Sequence, residues 1–371
     1  GNLLHITTTG VGGFGVVGWY EIVAYTGTNQ VTVDRATNTG TAMAGVTGYV
    51  GGALSLAAAN DDAVFELMVS SATAASRYFI KGGAGPITYT LGGPVAIGAT
   101  GNAAWFANIE GYASSRGDRP GGTTRPIFAL GANVFSTGQL MNIFSIVFSG
   151  TSTSVLTLGA SACAFFCKTI NTSTGTARDG LTIPSAGSVG FACDGISYRG
   201  IGINVGNIDS VIDSCNAHDS DIGISLAQTT NGVNVSNCIS ACNITAAIRF
   251  TGQTARIENV FNNTLYGAEN KLGIGISIPT GARAVFAKNN ILYGFVTGVS
   301  HADVNASSMD DFNDYFNNTN DVSAAGEWQK GAHDVALDPT FTSMAQLTGS
   351  TATTSGSVLT QSGGDFSTVT D

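Results

Sequence analysis

The chain is poor in long charged side chains. Only 11% of its 371 residues are Asp, Glu, Lys or Arg, with five lysines and six glutamates among them. Such residues cover the exposed faces of ordinary helices, so a helical or mixed α/β fold is not expected. The 15 basic residues are scattered and the net charge is -10. Nucleic-acid binding needs a clustered basic face, so we expect no nucleic-acid partner.

Long hydrophobic runs and a disulfide framework are missing as well. No run approaches the roughly 18 apolar residues of a membrane span, and no charged-then-apolar leader opens the chain, so we expect no membrane segment. Six cysteines are too few for a disulfide scaffold in a chain of this length. The chain has instead 50 glycines and 43% hydrophobic residues. This hydrophobic content is high enough for a folded core rather than a disordered chain.

The apolar residues recur with a regular spacing. They form short runs separated by Gly, Asn, Ser and Thr, which predicts many short strands. From about residue 140 the pattern repeats, and one alignment places Ser214, Asn237, Asn263, Asn290 and Asn313 in a column with steps of 23, 26, 27 and 23 residues. A second signal follows each member, as in Gly223-Ile224 and its equivalents. Leucine is too sparse for a leucine-rich repeat, so the period indicates a parallel β-helix.

The sequence therefore predicts an all-β protein built around a right-handed, single-stranded parallel β-helix, a solenoid. We place the β-helix with its N-terminal cap at residues 57–341 and a small N-terminal β module at residues 1–56. Residues 61–69 are predicted to form a short capping helix, because acidic and amide residues precede an apolar face. Residues 342–371 are rich in Ser, Thr and Gly and are expected to be irregular.

Four cysteines share a position in the repeat. Cys167, Cys193, Cys215 and Cys238 are separated by 26, 22 and 23 residues. A free cysteine is among the most often buried residues, so we expect an interior column of thiols. Strict strand alternation would put the asparagines inside and the cysteines outside, so we also expect the chain to bend beside the Asn column. Metal binding needs ligands at short spacing, and no metal and no cofactor are expected.

Three segments near the end of the repeat, residues 287–294, 311–316 and 331–341, resemble the last coils of parallel β-helix proteins of the pectate-lyase-like superfamily. The resemblance covers about residues 75–341. It implies this fold but no single activity, since lyases, hydrolases, adhesins and phage spikes share the scaffold.

The beginning of the chain resembles a leader found before β-helices in tailed-phage virion proteins. The segments that carry this resemblance are residues 1–6, 18–23, 31–35 and 48–54. The abrupt beginning and end suggest that the complete polypeptide extends further.

The densest acidic patch supplies the catalytic candidates, should the protein be an enzyme. It contains Asp213, His218, Asp219 and Asp221. In an extended segment Asp219 and Asp221 would share one face about 6.5 to 7 Å apart, a spacing compatible with a pair of catalytic carboxylates. The alternative is that these residues simply form the turns of the solenoid. A pectate-lyase pattern of Arg beside calcium-binding acids is not visible.

A second acidic group, Asp310, Asp311 and Asp314, lies near the expected last coils and is interpreted as a turn and capping region. Trp328 and Tyr315 are nearby. We expect these aromatic residues to bury over the C-terminal end of the core rather than to stack on sugars.

The leading functional hypothesis is a structural protein on the surface of a bacteriophage particle: a fibre, spike or decoration protein. Its expected partners are other virion proteins or its own copies, and host-surface polysaccharide. Its expected location is the virion surface or the extracellular space. The alternatives are a polysaccharide lyase or glycoside hydrolase on the same β-helix, and a bacterial surface adhesin or filament subunit.

Overall fold

A computed structural model describes most of the chain. The ranges are residues 2–6, 15–28, 30–38, 48–53, 77–82, 87–96, 107–113, 118–120, 124–175, 178–206, 209–226, 232–251, 258–267, 273–280, 285–302, 308–324, 330–339, 352–355 and 358–361, with single residues 8, 10, 45, 271 and 328. Two compact units are present, Gly1–Ala336 and Leu337–Asp371. The predicted capping helix at residues 61–69 lies outside the described residues.

The first unit is a parallel β-helix with three sheets of ten strands each. Sheet 1 consists of Arg77–Lys81, Ala107–Tyr112, Met141–Phe144, Cys163–Phe165, Val189–Phe191, Val211–Asp213, Asn234–Ser236, Glu258–Phe261, Val285–Lys288 and Met309–Asp311. Sheet 2 consists of Thr88–Thr90, Ile127–Gly131, Val147–Gly150, Lys168–Asn171, Asp194–Ser197, Asn216–His218, Ile239–Ala241, Thr264–Tyr266, Ile291–Tyr293 and Asp314–Phe316. Sheet 3 consists of Val95–Ala96, Phe135–Ser136, Ser154–Thr157, Asp179–Ile183, Ile201–Val205, Ile222–Leu226, Ala246–Phe250, Ile274–Ile278, Thr297–His301 and Asn320–Ala324. One coil adds one strand to each sheet in turn, which confirms the predicted parallel β-helix.

The core is built from aliphatic residues that stack in register from coil to coil. In sheet 3 the buried column contains Leu181, Ile203, Ile224, Ile248, Ile276 and Val299. These positions include the small-then-aliphatic signal that the repeat alignment used, so that part of the alignment is confirmed. Adjacent members lie one strand spacing apart, about 4.8 Å, so each covers its neighbours from water.

A four-stranded antiparallel sheet precedes the β-helix, as the expected small β module. Its strands, in spatial order, are Gln30–Val33, Gly18–Gly27, Asn2–Ile6 and Gly48–Ala53. Tyr20 is fully buried there, and its hydroxyl donates a hydrogen bond to the Val16 carbonyl at 2.6 Å. In the second unit, Ala352–Ser355 and Val358–Gln361 form an antiparallel hairpin.

The turn from sheet 1 to sheet 2 has one residue of positive φ in each of eight successive coils. These residues are Ser145, Phe166, Ala192, Ser214, Asn237, Asn262, Asn289 and Phe312, with φ between 50° and 59°. A left-handed residue turns the chain and restarts the alternation of inward and outward side chains. The bend that we expected beside the Asn column is therefore confirmed.

Two columns, rather than one, follow sheet 1. Asn237 lies beside Asn262 in the outer column of positive φ, and Cys238 lies beside Asn263 in the next, inward column. The predicted column of Ser214, Asn237, Asn263 and Asn290 is therefore wrong by one residue from Asn263 onward. The error arises because two adjacent asparagines occupy the turn in these coils, and the alignment took the second of each pair.

The inward column joins thiols to amides. Its members are Cys167, Cys193, Cys215, Cys238, Asn263, Asn290 and Asn313, each 3% exposed or less. This confirms the predicted interior column of cysteines. The Asn290 amide Nδ2 donates to the Val260 carbonyl at 2.9 Å, and the Cys215 thiol approaches the equivalent Gly190 carbonyl at 3.4 Å. Both side chains therefore satisfy the same backbone position in the preceding coil.

Candidate functional site

A chain of alternating charges crosses three coils on the outer face of sheet 2. Lys168 and Asp194 are register neighbours, and the Lys168 Nζ lies 3.2 Å from the Asp194 Oδ2. In the next coil, the His218 Nε2 lies 3.1 Å from the Asp194 Oδ1, and the His218 Nδ1 lies 2.7 Å from the Asp219 Oδ2. We call these four residues the ion chain.

His218 and Asp194 of the ion chain are charged at neutral pH. Hydrogen bonds to Asp194 and Asp219 raise the pKa of His218 from its ordinary 6.5 to about 9, against the effect of burial. Burial opposes ionisation of Asp194, but the hydrogen bond from His218 and the charge of Lys168 lower its pKa. A protonated imidazole cannot accept a proton, so His218 has the protonation state of a structural ion-pair partner rather than of a general base.

Asp219 and Asp221 do not lie on one extended segment. The strand of sheet 2 ends at His218, Asp219 has a positive φ of 53°, and the strand of sheet 3 begins at Ile222. The extended segment that would place both side chains on one face is therefore absent, because the corner between the two sheets falls between these residues. The Asp221 carbonyl accepts the backbone N–H groups of Thr245 and Ala246 at 2.7 and 3.3 Å.

Asp213 lies at a different corner. It ends a strand of sheet 1 and accepts hydrogen bonds from the Ser236 hydroxyl at 2.9 Å and the Asn237 amide at 2.7 Å, both in the next coil. The structure thus brings together His218 and Asp219 of the four candidates and adds Lys168 and Asp194, which the sequence reasoning missed. The sequence contained a signal for these two residues, because Lys168 directly follows Cys167 and Asp194 directly follows Cys193 in the predicted cysteine column.

An aromatic ladder continues the His218 column farther along sheet 2. Tyr266, Tyr293 and Phe316 are register neighbours with half-buried side chains. Tyr266 and Tyr293 stack at 5.3 Å between ring centroids and 12° between planes, and Tyr293 and Phe316 at 5.8 Å and 21°. Because the rings cover one another's faces, the ladder presents mainly ring edges to solvent.

A buried carboxyl lies near the end of the β-helix. Asp310, 8% exposed, accepts hydrogen bonds from the Tyr315 hydroxyl at 2.7 Å, the Trp328 Nε1 at 3.1 Å and the Asn313 amide. Burial, together with the charge of Asp334, raises its pKa to about 7, although its hydrogen bonds from Tyr315 and Trp328 act in the opposite direction. Tyr315 and Trp328 are 1% and 3% exposed, which confirms that they bury over the last coils.

Sheet 3 carries an arginine that the sequence reasoning did not single out. Arg249 points outward between Ser225 and Ser277, its register neighbours in the adjacent coils. Its Nε is buried, and no hydrogen-bond acceptor contacts that atom in the described part of the chain. Burial lowers its pKa. A guanidinium whose buried Nε has no acceptor among the described residues is a position that an anionic ligand could complete.

Metal and membrane features were sought over the described ranges. No three or more His, Cys, Asp or Glu side chains come together there as a group that could hold a metal ion. Over the same ranges, no helix has the length and apolar character needed to cross a membrane.

The chain matches no family model, and no curated protein is significantly similar to it. Solved structures similar to it include pectate lyase Pel9A, with 12% identity, a TM-score of 0.48 and coverage of 72% of this chain and 75% of that one. A mannuronic-acid-specific family 6 polysaccharide lyase from human gut microbiota has 11% identity and a TM-score of 0.49, with coverage of 74% of this chain and 77% of that one. The tailspike protein of E. coli bacteriophage HK620 has 13% identity and a TM-score of 0.46, with coverage of 74% of this chain and 61% of that one. These values identify no activity for this chain.

Proposed function

We propose that the protein is a structural component of a bacteriophage surface, as a fibre, spike or decoration protein. Its β-helix presents outer faces to host-surface polysaccharide or to other subunits and catalyses no reaction. The resemblance of the first 54 residues to phage virion leaders supports the location, and the uninterrupted stacking of three sheets supports a structural role.

One observation carries the proposal: two acidic side chains at the candidate site, those of Asp194 and Asp213, hold coils together. Asp194 joins Lys168 of the preceding coil to His218 of the next. Asp213 binds Ser236 and Asn237 across a coil boundary. A catalytic carboxylate needs a free approach to the substrate, whereas these carboxylates are committed to neighbouring side chains.

Mass spectrometry of purified phage particles tests the location. The protein should appear in the particle fraction after density-gradient purification and remain there after a salt wash. Recovery only as a free secreted protein would contradict the proposal. In parallel, the purified protein should release no reducing ends from a panel of bacterial capsular and pectic polysaccharides.

A polysaccharide lyase is the second candidate, and Arg249 favours it. A partly buried arginine whose Nε has no acceptor among the described residues suits the binding of a uronate carboxylate, and its lowered pKa suits the abstraction of a proton. An assay for unsaturated products on acidic polysaccharides tests this reading. If activity is found, Arg249→Lys should remove most of it, while the exposed Arg199→Lys should retain it.

A further inference from the structure

A short segment lies across the last coil of the β-helix. Residues 330–336, which we call the end strap, run beside the last strand of sheet 2. The Val335 N–H donates to the Asn313 carbonyl at 2.9 Å, and the Tyr315 N–H donates to the Val335 carbonyl at 2.9 Å. The strap thus adds one parallel bridge, Asp314 with Val335, whereas the strand Asp314–Phe316 pairs with the preceding coil at three positions. Its attachment therefore depends strongly on side chains.

Asp334 of the end strap takes the place of an amide in the inward column. In that column the Asn290 N–H donates to the Asn313 Oδ1, one coil farther along, at 2.9 Å. The Asn313 N–H donates in the same way to the Asp334 Oδ1 at 2.7 Å, and the Asp334 Oδ2 accepts the Gly331 N–H at 2.5 Å. An ionised carboxylate accepts hydrogen bonds but donates none. The column of thiols and amides therefore ends at the strap in a negative charge.

A second carboxyl group meets this charge inside the last coil. Asp310 occupies an inward position of sheet 1, where the two preceding coils have the buried apolar residues Val260 and Ala287. The Asn313 Nδ2 donates to the Asp310 Oδ1 and also lies 3.4 Å from the Asp334 Oδ1. One amide thus contacts both carboxyl groups. Two carboxylates that share a site repel each other, whereas a proton on one of them removes the repulsion.

Groups from three other elements complete the surroundings of Asp310. Burial and the charge of Asp310 raise the pKa of Tyr315, so its hydroxyl keeps its proton and remains a neutral donor. The Trp328 ring, which also donates to Asp310, lies 5.6 Å from the ring of His301 on sheet 3. Among the described residues, no cation forms an ion pair with Asp310. The cations of the strap are paired with other carboxylates, Lys330 with Asp321 at 2.7 Å and His333 with Asp311 at 3.0 Å.

We propose that the end strap is a pH-dependent closure, which stays across the last coil while Asp310 is protonated and detaches when Asp310 is ionised beside Asp334. The sign follows from the closed form, where the pKa of Asp310 is raised from its ordinary 3.8 to about 7. Closure is therefore most favourable below pH 3.8, weakens as the pH rises to about 7, and changes no further above that value. The closure does not depend on where the protein is located or on whether it binds a glycan.

Hydrogen exchange of the full-length protein at a series of pH values from 5 to 8 tests the proposal. Protection is measured by mass spectrometry of peptides and is expressed relative to the exchange rate of unprotected amides at the same pH. In the peptide that contains Val335, protection should fall about tenfold or more between pH 5 and pH 7 and then become constant. The strand Ile291–Tyr293, one coil before the last, is the internal control and should keep its protection throughout.

Three variants identify the titrating group. Asp310→Asn should remove the pH dependence, because its amide resembles the protonated acid and can donate to Asp334. Asp334→Asn supplies a column asparagine and should reduce the pH dependence as well. The matched control is Asp311→Asn, which removes a carboxylate from the same strand together with its pairing to His333. It should keep the pH dependence of wild type. Thermal unfolding by circular dichroism confirms that each variant is folded.

Four results would each overturn the proposal. The first is equal protection of the strap at every pH in wild type, and the second is a pH dependence that survives Asp310→Asn. The third is a pH dependence lost in Asp311→Asn, which would assign the effect to His333. The fourth is an equal loss of protection along the whole β-helix, which would show that the strap does not open separately. If Asp310→Asn does not fold, the same comparison is decided by Asp334→Asn.

Discussion

Cys238 and Asn263 are neighbours in one interior column, and the backbone N–H of Cys238 donates to the Asn263 Oδ1 at 2.9 Å. At this point a column of thiols becomes a column of amides without interruption of the coil stacking. Cysteine and asparagine side chains can thus replace one another as hydrogen-bonding partners of the backbone at this tight turn.

This relationship predicts that Cys238→Asn is tolerated. The new amide can donate to the Ile212 carbonyl, which the Cys238 thiol now approaches at 3.7 Å. We expect the free energy of unfolding to change by less than about 1 kcal/mol. Cys238→Leu should lose about 1 to 3 kcal/mol, because a larger side chain must fit between coils that are already stacked in register. Urea denaturation measures both. Equal losses in the two variants would show that the amide gives asparagine no advantage over an apolar side chain in this column.

The thiol column also predicts selective chemical reactivity. Burial raises the pKa of Cys167, so its thiolate is scarce and inaccessible in the native protein. Cys163 and Cys242 are only half-buried. Iodoacetamide labelling followed by peptide mass spectrometry should modify these two first, and the four column cysteines only after denaturation. Rapid native labelling of Cys215 would contradict the buried column.

The ion chain predicts a loss of stability at alkaline pH. The pKa of His218 is raised in the folded protein from 6.5 to about 9, so its contribution is complete below pH 6.5 and disappears as the pH approaches 9. Because the His218 side chain is 25% exposed, solvent screening reduces the expected loss to about 1 to 2 kcal/mol.

The variant His218→Gln should be less stable than wild type below pH 6.5 and should lack most of the alkaline decline. Denaturation at a series of pH values measures the difference. A wild-type profile that is flat over this window would show that the ion pairs contribute nothing net to folding.

Phe312 predicts a stabilising substitution. It has a φ of 59° and is 52% exposed, an unfavourable combination for a bulky side chain. In the two preceding coils the same position is Asn289 and Asn262, whose side chains are hydrogen-bonded at 3.2 Å. Phe312→Asn should therefore raise the unfolding free energy by about 0.5 to 1 kcal/mol, after loss of the ring stacking on His333.

Phe312→Ala is the control for that measurement, because it removes the same stacking without supplying a residue that favours positive φ. It should be less stable than Phe312→Asn. If the two alter stability equally, the backbone preference at this turn is not the deciding term.

The coil register could be predicted from residues of distinctive size. The cysteines and the small-then-aliphatic pairs, such as Gly223-Ile224, have one position each in the coil, so their spacing places the core correctly. The Asn262-Asn263 pair did not reveal the register, because its two asparagines belong to two different columns. They differ in backbone conformation, since only Asn262 has a positive φ. Asparagine tolerates positive φ, and both residues are asparagine, so residue type did not show which of the two has it.

The charged site was less accessible to sequence reasoning for a related reason. Proximity in sequence brought Asp219 and Asp221 together as candidates, although a corner separates them. His218 contacts Asp219 beside it, but its other partner is Asp194, 24 residues earlier and one coil away. Such pairs can be found only when the register of the outward positions is known. Residue types vary widely at those positions, so the sequence does not reveal that register.

Equivalence between coils makes the length of the β-helix a modular quantity. Removal of residues 216–238 would join Cys215 to Ile239 and reproduce the Cys238-Ile239 junction that already exists. The remaining coils would meet through the same column positions that they use now. Gain or loss of whole coils could thus lengthen or shorten the unit between related sequences while its two ends and its method of stacking stayed the same.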